Sequence, residues 1–275
     1  MPNIHPTAIV DKTARLGDDV EVGAYCIVEA DVVIGAGSAL RPHAMIRRHT
    51  TLGEGNSVDS FCVLGGEPQD HKFDPDTTSY LRIGDHNIFR EGVTISRATG
   101  EGKATTVGSK THWMAGSHAG HNAQIADEVI LTNCAALAGH TVVGRRAILS
   151  ARASVHQFCW IGEMVLLQGH AAVTMHVPPY TLAIIPINSV GGLNTVGLQR
   201  APYVTREDRL QIKEAFKLTY RSKLPLAEAL EKMGQCTDWG EGASKFRQFI
   251  RNVLEAEEPH NRGLCPLRPR GRANR

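Results

Sequence analysis

Aliphatic residues recur at every sixth position over most of the chain. From Ile4 the blocks run IHPTAI, VDKTAR, LGDDVE, VGAYCI, VEADVV and onward to residue 63. A short run reads IGDHNI, FREGVT, and a third run, 107–178, passes through WMAGSH, AGHNAQ, LAGHTV and VHQFCW. Of 24 such blocks, 21 begin with Ile, Leu or Val, and the other three begin with Phe89, Trp113 and Ala119. A six-residue period is the signature of a parallel β-helix. Each block supplies one short strand and one turn, and three blocks close a triangular coil. Successive coils then stack at about 4.8 Å, the spacing of strands in a sheet. The leading aliphatic points inward. Gly at the second position and small residues or Val at the fifth suit tight corners. No coil buries a core alone, so stability comes from stacking.

Composition agrees with a thin aliphatic core, since aromatics make up only 5% of the 275 residues. A formal net charge of +2 offers no bulk attraction for nucleic acid, and no such partner is expected. The six cysteines form no CxxC pair and no metal-type spacing. Cys26, Cys62, Cys134 and Cys159 fall inside hexads and read as small core residues in a reducing compartment. No apolar run follows a basic start, and no stretch of 18 apolar residues occurs. Neither a secretory leader nor a transmembrane segment is therefore expected, and the cytoplasm is the expected location.

Two polar interruptions break the repeat, at 64–82 (LGGEPQDHKFDPDTTSYLR) and 95–106 (ISRATGEGKATT). Insertions into a repeat tend to lie on one face, often the binding face. The main all-β domain is expected over 1–180, closed by Val177-Pro178-Pro179-Tyr180, because proline cannot donate to a further ladder. An α-helical domain is expected over 181–275. In it, Thr205-Arg206-Glu207-Asp208 opens one helix, whose apolar positions are Leu210, Ile212, Phe216, Leu218 and Tyr220. Residues 224–233 and 243–256 form two more helices, and the Arg- and Pro-rich tail from Pro259 is expected to be a poorly ordered, solvated end.

Counted modulo 18, His121 and His140 lie near the same angle on successive coils, with His156 close to it and His118 three residues before His121. The expectation is a ridge of four imidazoles, against the alternative of surface histidines scattered by chance. Three histidines can hold a zinc ion with one open position. A histidine can instead serve as general base for acyl transfer. The spacing leaves both open.

The strings GGEPQDHKF (65–73), LAGH (137–140), VHQFCWIG (155–162), HVPPY (176–180), GLNTVGLQR (192–200) and KLTYRS (217–222) run in order along the chain. In these the sequence resembles the UDP-N-acetylglucosamine O-acyltransferase family, hexapeptide-repeat enzymes that open lipid A biosynthesis. The resemblance implies a left-handed β-helix, which periodicity cannot show, and a homotrimer with active sites between subunits. It implies transfer of a 3-hydroxyacyl group from acyl carrier protein to the 3-hydroxyl of the UDP-sugar, with no cofactor and no metal. Carried over by position, His121 matches the general base and the Gly139 amide matches the oxyanion donor. Asp70 and Lys72 match sugar and phosphate contacts. His118, His140, His156 and Gln157 match contacts to the nucleotide sugar and the acyl chain. Asn194 and Arg200 match nucleotide contacts. Gly169 matches the far end of the acyl groove, where a large side chain shortens the chain accepted. Lys213, Lys217 and Arg221 offer basic charge to the acidic carrier.

The sequence departs from the family pattern at three positions. Asn122 stands where the family usually has Asp after the catalytic His, Val196 stands at an acid near the uridine, and Ala201 at a second basic residue. In a serine-protease triad the same Asp-to-Asn change lowers kcat by about 10⁴, largely through the wrong imidazole tautomer. Asn122 is therefore expected to weaken the site, and Val196 and Ala201 to loosen nucleotide binding. Other readings are N-acylation of a 3-amino or other nucleotide sugar, a zinc enzyme of carbonic anhydrase type, and an impaired scaffold.

Overall fold

The computed structural model describes residues 1–269. The repeat folds as a left-handed parallel β-helix. Most of its strands are two residues long, and they align into three sheets of 11, nine and eight strands, one on each face of a triangular prism. The first face carries Ile148–Leu149 and Leu166–Leu167. The second carries His118–Ala119, Ala136–Leu137 and Ser154–Val155. The third carries Gln124–Ile125 and Val142–Val143. In uninterrupted coils each residue pairs with the one 18 further on, as His118 with Ala136 and Ala136 with Ser154. Across the insertions Val58 pairs with Phe89 and Ile83 with Val107, so the ladder resumes in register beyond each loop.

The block leaders fill the core. From Val22 to Val173 every one is buried, whereas Ile4 is 43% exposed because no coil stacks beneath the first. Val107, Trp113 and Ala119 lead the three blocks of one coil, so the largest and smallest leaders share a cross-section and its volume is kept. The buried Trp113 Nε1 donates to Thr111 Oγ1 at 2.8 Å, which satisfies its one polar atom.

The corners differ from expectation. The left-handed backbone falls at the fourth position in 21 of the 24 blocks, where Asn122 (φ 60°) and His140 (φ 57°) sit, not at the second-position glycines. Those glycines are needed for stacking. A Cβ on Gly35 would lie 2.5 Å from the Gly53 carbonyl carbon of the next coil, and one on Gly144 2.5 Å from the Glu163 nitrogen. The fourth position points outward, which corrects the reading of Cys134: it occupies that position and is exposed. Cys26, Cys62 and Cys159 hold the fifth position and are buried. Burial pushes the Cys62 thiol up to about 12 and the Cys159 thiol up to about 11.

The first insertion is held by Arg97 at the root of the second. This fully buried guanidinium donates to the Thr77 carbonyl at 3.1 Å and lies 5.1 Å from the centre of the Phe73 ring. Thr181–Ile184 and Ser189–Leu193 form an antiparallel pair that extends the first sheet, so the strands run past residue 180. Four helices follow: α1 (Thr195–Arg200), α2 (Arg206–Tyr220), α3 (Leu226–Gly234) and α4 (Glu241–Leu254). Thr205 and Asp208 close a capping box on α2. Ile212 and Phe216 are buried between the helices, whereas Leu210 stays half exposed.

The tail corrects a second expectation. His176 N–H donates to the Gly263 carbonyl and Cys265 N–H to the His176 carbonyl, each at 2.8 Å. Tyr220 Oη donates to the Cys265 carbonyl at 2.8 Å. Leu264, Cys265 and Leu267 give this stretch apolar anchors, and its backbone pairs with edges the prism leaves open. The part of the expected loose tail beyond 269 lies outside the described residues.

Candidate active site

The second face, at its corner with the third, gathers His118, His121, Gly139 and Gln157 around a cavity of about 390 Å³ that Gln69 of the first insertion also lines. His121 is 8% exposed. Its Nδ1 lies 2.9 Å from Asn122 Oδ1, and its ring meets that of His140 edge-on, 5.2 Å between centres. A Cβ on Gly139 would lie 2.8 Å from His121 Nε2, so only glycine lets the backbone approach the ring this closely. The Gly139 N–H has no hydrogen-bond partner among the described residues. His118 Nδ1 lies 2.8 Å from Thr94 Oγ1. Burial holds His118 and His140 below the usual imidazole range, with the His121 charge adding to the effect on His140, so both favour the neutral form.

The expected file of four imidazoles is not what forms. His118, His121, His140 and His156 hold the sixth, third, fourth and second positions of their blocks and so leave the coil in different directions. His140 instead stacks on Phe158, its true 18-residue partner, at 4.8 Å between ring centres. His156 Nδ1 accepts from Arg262 Nη2 of the tail at 2.6 Å. Among the described residues no group of three or more His, Cys, Asp or Glu is arranged to hold a metal ion.

The loop residues are placed unequally. Asp70 Oδ1 accepts from the Lys72 N–H at 2.9 Å in a tight turn, and the Asp70 charge reaches His140. Lys72 is exposed. Gly169 lies at the corner between the first and second faces, away from the His121 cavity, and a Cβ there would meet only the Ala151 carbonyl oxygen at 3.5 Å.

Asn194 and Arg200 line a different cavity, of about 660 Å³, on the first face, together with Ile148, Leu166, Val196 and Tyr203. Asn194 caps α1: its Oδ1 accepts from Gly197 N–H and its Nδ2 donates to the Met164 carbonyl, both at 3.0 Å. Most of its hydrogen-bonding capacity therefore serves the fold. Val196 leaves this wall apolar, and the Arg146 guanidinium, 4.0 Å from the Tyr203 ring centre, supplies a cation that the sequence reading missed.

Thr94, Thr99, Thr105 and Arg262 were also missed. Each lies outside the regular hexads of the third run and reaches the site only through coil stacking or the path of the tail.

Residues 176–265 match the family model described as "Udp N-acetylglucosamine O-acyltransferase; Domain 2", and 13–48 match "Bacterial transferase hexapeptide (six repeats)". The chain is 40% identical over 262 residues to an acyl-[acyl-carrier-protein]--UDP-N-acetylglucosamine O-acyltransferase of Stenotrophomonas maltophilia, covering 94% of this chain and 97% of that one. It is 42% identical over 251 residues to the protein so named from Gloeothece citriformis, covering 91% and 88%. Among solved structures, UDP-N-acetylglucosamine O-acyltransferase of Moraxella catarrhalis superposes with a TM-score of 0.88 at 33% identity, covering 95% of this chain and 99% of that one. The Francisella novicida UDP-N-acetylglucosamine acyltransferase superposes with 0.85 at 30% identity, covering 97% and 94%.

Proposed function

The chain belongs to the UDP-N-acetylglucosamine O-acyltransferase family, and on that premise we propose that His121 is its general base. Its activity is acyl transfer from acyl carrier protein to UDP-N-acetylglucosamine, the first step of lipid A biosynthesis. His121 Nε2 takes the proton from the sugar 3-hydroxyl as that oxygen attacks the thioester carbonyl of a 3-hydroxyacyl chain. The tetrahedral oxyanion is met by the Gly139 N–H, whose lack of a partner among the described residues supports this role. Collapse breaks the carbon–sulfur bond, and the imidazolium returns its proton to the departing carrier thiolate. The observation that carries this reading is the approach of Gly139 to the His121 ring, which puts base and oxyanion donor side by side.

His118, His140, Gln157, Asp70 and Lys72 contact the sugar and acyl groups, and His156 is oriented by Arg262. Arg200 contacts the nucleotide phosphates, with Asn194 holding the helix that presents it. Gly169, where an added Cβ would meet only the Ala151 carbonyl oxygen, leaves room for the far end of the acyl chain. The two cavities sit on different faces of one prism, so one nucleotide sugar reaches both only when the first face of one chain meets the second face of another. Such a head-to-tail contact forms a ring where its rotation closes, and the family resemblance implies a ring of three, so we read the assembly as a homotrimer. Exposed Lys213 and Lys217 on α2, with Arg221 at its C-cap, receive the acidic carrier. Among the described residues no helix is long and apolar enough to cross a membrane, and we read the reaction as cytoplasmic.

The test is mass detection of product from 3-hydroxyacyl carrier thioesters of several lengths with UDP-N-acetylglucosamine. An O-acylated product that disappears in His121→Ala is expected. Undiminished product in that variant overturns the assignment.

A further inference from the structure

Asn122 is more than a weakened copy of an acid. Its Oδ1 accepts from the Thr99 backbone N–H at 2.9 Å and from Thr99 Oγ1 at 2.8 Å, and it also faces His121 Nδ1 at 2.9 Å. Its Nδ2 donates to the Thr99 carbonyl at 3.2 Å. A backbone N–H only donates and a carbonyl only accepts. Turning the carboxamide over would set its NH₂ against one N–H and its oxygen against one carbonyl. The orientation is therefore dictated by the Thr99 backbone, and the atom presented to His121 is an acceptor. His121 Nδ1 must then carry the proton, which leaves Nε2 bare. Thr105 Oγ1 accepts from the Asn122 N–H at 2.8 Å and fixes the base of the same side chain.

We propose that Thr99, in the second inserted loop, is a positioning residue. By donating twice to Asn122 it makes a neutral amide behave as an obligate acceptor and holds His121 in the tautomer a general base needs. This rests on the reading of His121 as the base. It also reverses the expectation drawn from protease triads, where the amide is free to present its NH₂. The site is built around the amide. An Asp at 122 would place a second, unprotonated oxygen about where Nδ2 now donates, 3.2 Å from the Thr99 carbonyl. The titratable groups around the ring are His140 from the next coil and His118 in the same cavity. Beyond His140 are Asp70 of the first loop and His260 of the tail, whose charges both reach it.

Three variants and one spectrum test this. Thr99→Val removes the hydroxyl donor and keeps the backbone one. It should lower kcat about tenfold with KM little changed, the scale of one hydrogen bond, and Thr99→Ser should restore it. Asn122→Asp should lower kcat and move the acid limb of the pH–rate profile to higher pH, since a carboxylate favours the imidazolium. The imidazole ¹⁵N spectrum of the full-length protein, with His121→Ala identifying the ring, should show a protonated Nδ1 and a bare Nε2. A proton on Nε2 or a many-fold gain in Asn122→Asp overturns the clamp, and a wild-type kcat in Thr99→Val overturns the part assigned to the Thr99 hydroxyl. If Thr99→Val does not fold, the wild-type spectrum decides alone. Activity surviving in His121→Ala would remove the base itself. Loss there beside an unchanged Thr99→Val would remove only the hydroxyl's part in the clamp.

Discussion

The imidazole cavity on the second face and the α1 cavity on the first are built in opposite ways. Around His121 the polar atoms that matter are held in a chain: the ring by the Asn122 side chain, and that side chain by the Thr99 backbone. Around Arg200 the wall is apolar, with Val196 and Tyr203, and its amide, Asn194, is occupied as a helix cap. One cavity holds its imidazole and amide in a fixed geometry, as the proposed proton transfer requires. The other offers area and a cation. A group whose geometry is fixed before substrate arrives acts in the transition state, whereas a loosely held cation acts on binding.

That contrast is most exposed to a split of kinetic constants. His121→Ala should lower kcat by about 10² to 10⁴, the range of a positioned general base, and leave nucleotide binding nearly intact. Arg200→Ala should do the reverse, raising KM by about tenfold or more with kcat little changed, as loss of a charge-assisted contact does. Equal losses in both constants for both variants would erase the distinction. Mixing the two variants sharpens it, because in a ring each site takes one face from each neighbour. With the nucleotide sugar far below KM, where Arg200→Ala alone keeps about a tenth or less, random co-assembly should recover about one quarter of wild-type activity, and no recovery would mean that each site takes both cavities from the same chain.

A smaller effect tests how the first loop is held over the imidazole cavity. Arg97→Met removes a fully buried cation and its bond to the Thr77 carbonyl. The expected loss is about 1–3 kcal/mol in chemical denaturation. An unchanged midpoint would mean that the loop needs no such anchor.

The smallest effect separates the faces by pH. Burial lowers the affinity of His118, His140 and His176 for protons in the folded state. Above about pH 6.5 both folded and unfolded chains hold these rings neutral and they contribute nothing to pH dependence. As the pH falls below that value the unfolded chain binds protons the folded one resists, so stability drops, and the loss levels off below the folded values. Thermal unfolding at pH 7.5 and 5.5 should show a lower midpoint at pH 5.5. An equal or higher midpoint would break this reading.

Much of this architecture was legible in hexads. The block leaders from Val22 to Val173 are buried as read, and hexad position sorts the cysteines too, once the fourth position is known to point outward. The tail was misread because Leu264, Cys265 and Leu267 are sparse among arginines and prolines. Their anchoring role depends on edges left by strands far away in the chain. Thr99 carries no periodic signal. It lies 23 residues before Asn122 and meets it only because a loop returns to the same corner.

By itself the amino-acid order determined a stacked prism, because a six-residue aliphatic period has one way to bury its leaders. It also placed imidazoles along one flank. Only the tertiary structure decided which rings share a cavity, since a one-residue offset on a coil corner redirects a side chain. It alone decided that Asn194 and Arg200 stand on another face, and that the amide beside His121 accepts. These outcomes depend on directions in space and on donors from separate loops, which spacing along a chain does not encode.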